Sequence, residues 1–133
     1  MKYMLLIYGK EDAWTDAERQ ECYVASTELA NELHARGKLL GASPLHPAST
    51  ATCVRVRNAR PLITDGPFTE AREQLGGYFM IEARDLDEAL AIAARIPAAV
   101  KGTVEVRPVL EIPNLPEILN KDVDLSMADS THR

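Results

Sequence analysis

The sequence predicts an α+β domain in which two helices pack on one face of an antiparallel sheet. Three observations carry this reading. Short apolar or alternating runs, the mark of strands, recur along the chain, the clearest being Tyr3 to Tyr8, Ala51 to Arg57, Tyr78 to Ala83 and Thr103 to Leu110. Two stretches with helical apolar spacing lie between such runs, and each is opened by a capping sequence. The resulting order is β-α-β-β-(short β)-β-α-β, which, with the short segments set aside, is the split βαβ pattern of ferredoxin-like folds.

Met1 to Tyr8 reads as a strand buried on both faces and ended by Gly9. Thr15-Asp16-Ala17-Glu18 has capping-box spacing, so a helix is predicted from about Thr15 to Arg36. Cys22, Ala25, Leu29, Ala30 and Leu33 share one face of that helix, and Gly37 stands where a left-handed C-terminal cap belongs. Lys38 to Leu45 is a short strand, followed by the turn Pro44-Leu45-His46-Pro47. Ala51 to Arg57 alternates with period two. Asn58-Ala59-Arg60-Pro61 turns the chain into a brief strand, Leu62 to Thr64. After Tyr78 to Ala83, Asp85-Leu86-Asp87-Glu88 caps a second helix with the stripe Leu86, Ala89, Leu90, Ala93 and Ile96, which Pro97 stops. Gly102 precedes the last strand, Thr103 to Leu110. Residues 1–112 are therefore read as one domain. Residues 113–133 form an extension, with a short helix from Pro116 through Asn120 and a polar, acidic tail expected to be mobile.

Composition narrows the function. With 133 residues, 46% hydrophobic and 26% charged, the chain is long enough for one core without disulfides or metals. A net charge of −5 and scattered basic residues argue against a nucleic-acid partner. Cys22 and Cys53 lie in apolar patterns and are expected to be buried, reduced thiols. No metal-ligand spacing, phosphate loop or dinucleotide fingerprint is present, so neither metal nor cofactor is expected. No segment is apolar enough for a signal or a membrane span, and a cytoplasmic location follows by default.

Strand parity predicts a partner. Tyr3, Leu5 and Ile7 occupy one side of the first strand, but Met4, Leu6 and Tyr8 occupy the other. Phe79, Ile81 and Ala83 suit the helix side, which leaves Tyr78, Met80 and Glu82 opposite. The Cys53 strand is expected to add Cys53, Arg55 and Arg57 there, and the last strand Glu105, Arg107 and Val109. A face that mixes Met, Leu and Tyr with Arg and Glu is too apolar for water and too charged for a dry core. A homodimer stacked through its sheets, with charged side chains around an enclosed pocket, satisfies both.

Asp65-Gly66-Pro67 and Gly76-Gly77 bracket a charged loop longer than an ordinary hairpin connection. Asp65 is either a backbone ligand that shapes the turn or an acid, base or anchor aimed into the pocket. His46, flanked by prolines, is either an ordinary loop histidine or the other half of an acid–base pair with Asp65. Tyr8 and Tyr78 are packing or ligand-orienting phenols. Arg55 and Arg107 either clamp an anion or pair with Glu82 or Glu105.

Met1 to Gly9, Thr50 to Arg55, Thr64-Asp65-Gly66-Pro67-Phe68 with Glu73 to Tyr78, and Val104 to Val109 together resemble the YCII-related family, and within it the DGPF-domain branch. The resemblance spans roughly residues 1 to 112. It implies a dimeric α+β barrel. It also implies a pocket in which an aspartate, matched here by Asp65, and a histidine have been proposed to act, with His46 at a position where the branch does not require one. Phe68 of the same signature is carried over as a substrate contact. Some relatives are lyase-like, and many branch members are linked to extracytoplasmic-function sigma factors. Three roles follow as expectations: a cofactor-free isomerase, lyase or hydrolase acting on a small polar or anionic molecule, a non-catalytic sensor or regulatory partner protein, or a purely structural barrel.

Overall fold

The computed structural model describes residues 1–116. The short helix expected from Pro116 through Asn120 and the tail beyond it lie outside the described residues. Within them the elements are β1 (Lys2–Gly9), α1 (Asp16–Ala35), β2 (Leu39–Pro44), β3 (Thr52–Arg57), β4 (Arg60–Asp65), β5 (Gln74–Glu82), α2 (Leu86–Ala93) and β6 (Thr103–Pro108). Short 3-10 turns occupy Glu11–Ala13, Ala48–Thr50 and Pro97–Val100.

β2, β5, β1 and β6 form one antiparallel sheet in that order. This is the ferredoxin-like arrangement, with the two central strands supplied by the start and the middle of the chain. Its helix side holds the core. Tyr3, Leu5, Phe79 and Ile81 from the sheet meet Leu29 and Leu33 from α1 and Ala89, Ile92 and Ala93 from α2. The strand parity read from the sequence is therefore the parity observed. Both helix starts also form as expected. Thr15 Oγ1 accepts from Glu18 N at 3.1 Å while Glu18 Oε1 accepts from Thr15 N at 2.9 Å, and Asp85 accepts from Glu88 N. Gly37, at φ +70°, closes α1: its amide reaches the His34 carbonyl, and the Lys38 amide reaches that of Leu33.

Two details differ from the sequence reading. The Cys53 strand is not in the main sheet: β3 pairs only with β4, as a separate two-stranded ribbon. Alternation identifies a strand but not its neighbour, and here a two-residue turn decides the neighbour. Asn58 and Ala59 both have positive φ (53° and 61°) between the paired residues Arg57 and Arg60, the primed hairpin geometry that folds a chain straight back on itself. The place at the sheet edge goes to β2 instead. The second difference is in α2, where Leu86 and Leu90 are exposed and Ile92 is buried. That helix ends at Ala93, so its short inward face is set by Ala89, Ile92 and Ala93, and Ile96 reaches the core from the segment that follows.

Ala59 sits in a backbone region that costs a residue with a Cβ about 1–2 kcal/mol. Ala59→Gly is expected to stabilise the ribbon by roughly 0.5–1 kcal/mol after glycine's own entropy cost. Amide hydrogen exchange across β3 and β4 should slow about two- to fivefold; unchanged exchange there would contradict the turn assignment.

Candidate functional site

Where β1 ends, the chain builds an open cleft of about 470 Å³ between the turn at Glu11–Ala13, the first half of α1 and the segment after β2. Its wall includes Tyr8, Trp14, Cys22, Tyr23, His46 and Gln74, with Lys10, Glu11 and Arg19 at the same site. Polar contacts tie this wall together. Arg19 donates to the Glu11 carbonyl at 2.7 Å, and the Glu11 carboxylate accepts from the Ala48 amide at 2.6 Å. Lys101 donates to the Ala13 carbonyl at 2.9 Å and to Glu18 at 3.2 Å, and its ammonium lies 4.7 Å from the centre of the Trp14 ring. The Leu45 amide donates to the Gly76 carbonyl at 2.9 Å, extending the β2–β5 pairing past Pro44 and holding His46 at the cleft.

A second cleft, about 320 Å³, lies beside the first between α1 and the β2–β5 edge. Gly76 and Gly77 shape it. The β1–β5 register skips a residue at Gly76, opposite the step from Ile7 to Tyr8, so the pair of glycines does introduce the bulge that such a pair suggests. Gly77 also gives the close approach: a Cβ there would stand 3.0 Å from the Ser43 carbonyl oxygen. A side chain there would push β2 back by a few tenths of an ångström.

The model of the YCII-related domain matches residues 1–113. The chain belongs to the YCII-related family. It is also similar to an uncharacterized protein of Rhizobium meliloti (strain 1021), 33% identical over 113 residues that cover 81% of this chain and 91% of the relative.

In this YCII-related chain the residues singled out from sequence fall in three places. Tyr8 and His46 line the first cleft, and Tyr78 lines the second. Asp65, Arg55 and Phe68 are exposed on the ribbon and the loop after it, and line neither cleft. The Asp65 carboxylate accepts no hydrogen bond among the described residues, so the turn is held without it: Gly66, at φ +99°, donates to the Ala51 carbonyl at 2.7 Å, and Gln74 donates to the carbonyls of Thr69 and Ala71. Arg107 is exposed on β6, opposite Met4 on the helix-free face. Among the described residues no ion pair joins it to Glu82 or Glu105. Glu82 instead holds the amino group of Met1 at 2.6 Å.

Tyr8 connects that face to the first cleft. Burial, and then the nearby charge of Glu105, push the phenol's pKa up, while Arg107 works against them. Both cysteines are free thiols and only partly buried, Cys22 in the wall of both clefts and Cys53 donating to the Gly66 carbonyl at 3.3 Å. Sequence reasoning passed over Lys10, Trp14, Arg19, Cys22, Tyr23 and Gln74 as site residues. A usable signal was the single tryptophan placed just before a capping box, where an apolar residue fixes how the chain enters a helix. Among the described residues no group of three or more His, Cys, Asp or Glu is placed to hold a metal ion, and no helix is long and apolar enough to cross a membrane.

Proposed function

We propose that this YCII-related protein binds a small anionic or polar-aromatic molecule in the cleft at the end of β1, and that His46 exchanges a proton with it. The observation that carries this reading is the makeup of one concave wall. Trp14 and Tyr23 supply aromatic surface, while Lys10, Arg19 and His46 supply cationic or ionisable nitrogen, in a chain whose net charge is −5. The one acid at this wall, Glu11, already receives the Ala48 amide. An anion entering here meets donors that lack a competing free carboxylate. An imidazole can both accept and donate a proton, so His46 suits cofactor-free proton transfer of the isomerase, lyase or hydrolase kind. Asp65, Arg55 and Phe68, exposed on the ribbon side, are available to a neighbouring molecule rather than to this cleft. We further propose that two copies stack through their helix-free sheet faces, where Met4, Leu6, Tyr78 and Met80 are only half-buried in one chain.

A second reading, a sensor or regulatory partner protein, is favoured by one separate observation. The ribbon turns Val54, Val56 and Ile63 to one side at 62%, 60% and 67% exposure, with Arg55, Arg57 and Arg60 on the other. Such a surface suits contact with another protein.

Thermal shift with benzoate and phenyl phosphate as probes tests the first reading. A ligand at about a hundred times its Kd adds roughly 2.7 kcal/mol to the folded state, a rise of several degrees in Tm. Lys10→Ala and His46→Ala should each shrink that rise. An equal rise in both variants and in the parent protein would place the probes elsewhere, and no rise at all would remove the anion-binding proposal.

A further inference from the structure

The two clefts share five lining residues, Ile7, Cys22, Tyr23, Gly76 and Ala98. They are neighbours along one groove under α1, yet their chemistry differs. Lys10, Glu11, Arg19 and His46 all belong to the larger, outer cleft. Among the described residues no charged side chain lines the inner one, whose remaining wall includes small or apolar groups such as Ser26, Ala30, Ala42, Pro44, Gly77 and Phe79. We infer that the two act as a single bipartite site for an amphipathic small molecule, with an anionic head in the outer cleft and an uncharged apolar body reaching past Cys22 into the inner one.

The inference rests on the anion-binding reading above and deepens it by naming the ligand class. Its physical basis is the cost of mismatch at each end. A carboxylate or phosphate pushed into the inner cleft loses water without gaining a cation, whereas an apolar body left in the outer cleft gives up the burial available beyond Cys22. Most residues that line the inner space, Ser26, Ala30, Ala42 and Gly77 among them, carry short side chains or none, which leaves room for a guest. Volumes of about 470 and 320 Å³ are those of small-molecule sites. Gly76, which lines both spaces, brings no side chain to the wall they share.

The test uses a homologous series of straight-chain carboxylates, acetate, butyrate, hexanoate and octanoate, with octanol as the uncharged control, and calorimetric titration of the full chain. Affinity should rise about fourfold for each methylene that enters the inner cleft and then level off. Lys10→Ala should weaken every acid by a similar factor and leave octanol unchanged. Ser26→Phe, which places a ring in the inner space from α1, should flatten the series while sparing acetate; Ala42→Phe, from β2 beside Phe79, does the same from the opposite wall should the first variant fold poorly. As an independent readout, octanoate but not acetate should slow alkylation of Cys22 by iodoacetamide in a Cys53→Ser background. Affinities that do not depend on chain length would overturn the bipartite site while leaving the anion cleft standing. Octanol binding as tightly as octanoate would overturn the anionic head, and with it the proposed function. No binding by any member, short or long, would end both.

Discussion

Gly102→Ala should lower the stability of this protein by about 3 kcal/mol, the upper end of what an overpacked methyl group costs. The β-carbon would fall inside contact distance of the Tyr8 carbonyl oxygen and 3.3 Å from that of Ala98. Both obstacles are backbone, so no side chain can rotate out of the way. Gly102 also donates to the Ala98 carbonyl at 2.9 Å, and the next residue, Thr103, is paired with Tyr8. Relief therefore requires the end of β1, the turn at Pro97–Val100 and the start of β6 to separate together. For a chain of this size the loss corresponds to a fall of roughly 10 °C in Tm by calorimetry. Gly41→Ala is the matched control, because a Cβ at Gly41 meets nothing within 4 Å, and it should melt close to the parent protein. Tyr8 and Ala98 both line the first cleft, so the same displacement should weaken probe binding. If Gly102→Ala melted within a degree of the parent, the tight junction of β1 and β6 would have to be abandoned.

Leu6→Glu should convert a dimer into a folded monomer. Leu6 lies mid-strand on the helix-free face, between Tyr78 on one neighbour and Glu105 on the other. It takes no part in the helix-side core, so far-UV circular dichroism should be unaffected. In the proposed assembly, however, the new carboxylate is enclosed beside the like charge of Glu105, its cross-strand neighbour on β6. Truncating or charging a central interface residue typically costs about 3 kcal/mol, which is more than a hundredfold in Kd. Sedimentation or light scattering over a dilution series reads this directly. A parent protein that is monomeric at every concentration would remove the sheet-stacked dimer from consideration.

The local rules were legible because they depend on neighbours in sequence. Thr15 and Glu18 satisfy each other across one helical turn, Gly37 takes the left-handed angle that ends α1, and Gly76-Gly77 admits both a bulge and a tight strand contact. The alternation of Phe79 and Ile81 against Tyr78 and Met80 likewise places the core face without reference to any other element. The candidate site was only half legible. Tyr8, Tyr78 and His46 were singled out for their chemistry, and they do line clefts. Lys10, Trp14 and Tyr23 were not, because each looks like a loop or helix-surface residue until α1 is laid across the sheet, and Cys22 was read as a buried thiol on the apolar face of that helix. Asp65 and His46 are joined by no hydrogen bond among the described residues. Their pairing was an inference from residue type, and residue type says nothing about which loops meet.

Periodicity, caps and turn residues thus determined by themselves the α+β class, the element order and the face on which the core lies, since each is settled by groups within a few residues of one another. Tertiary structure alone decided that β2 rather than β3 completes the sheet, that β3 and β4 stand apart as a ribbon, and that the clefts open beside α1. Those choices depend on which surfaces exclude water together, and residues distant in the chain must first be packed before that comparison exists.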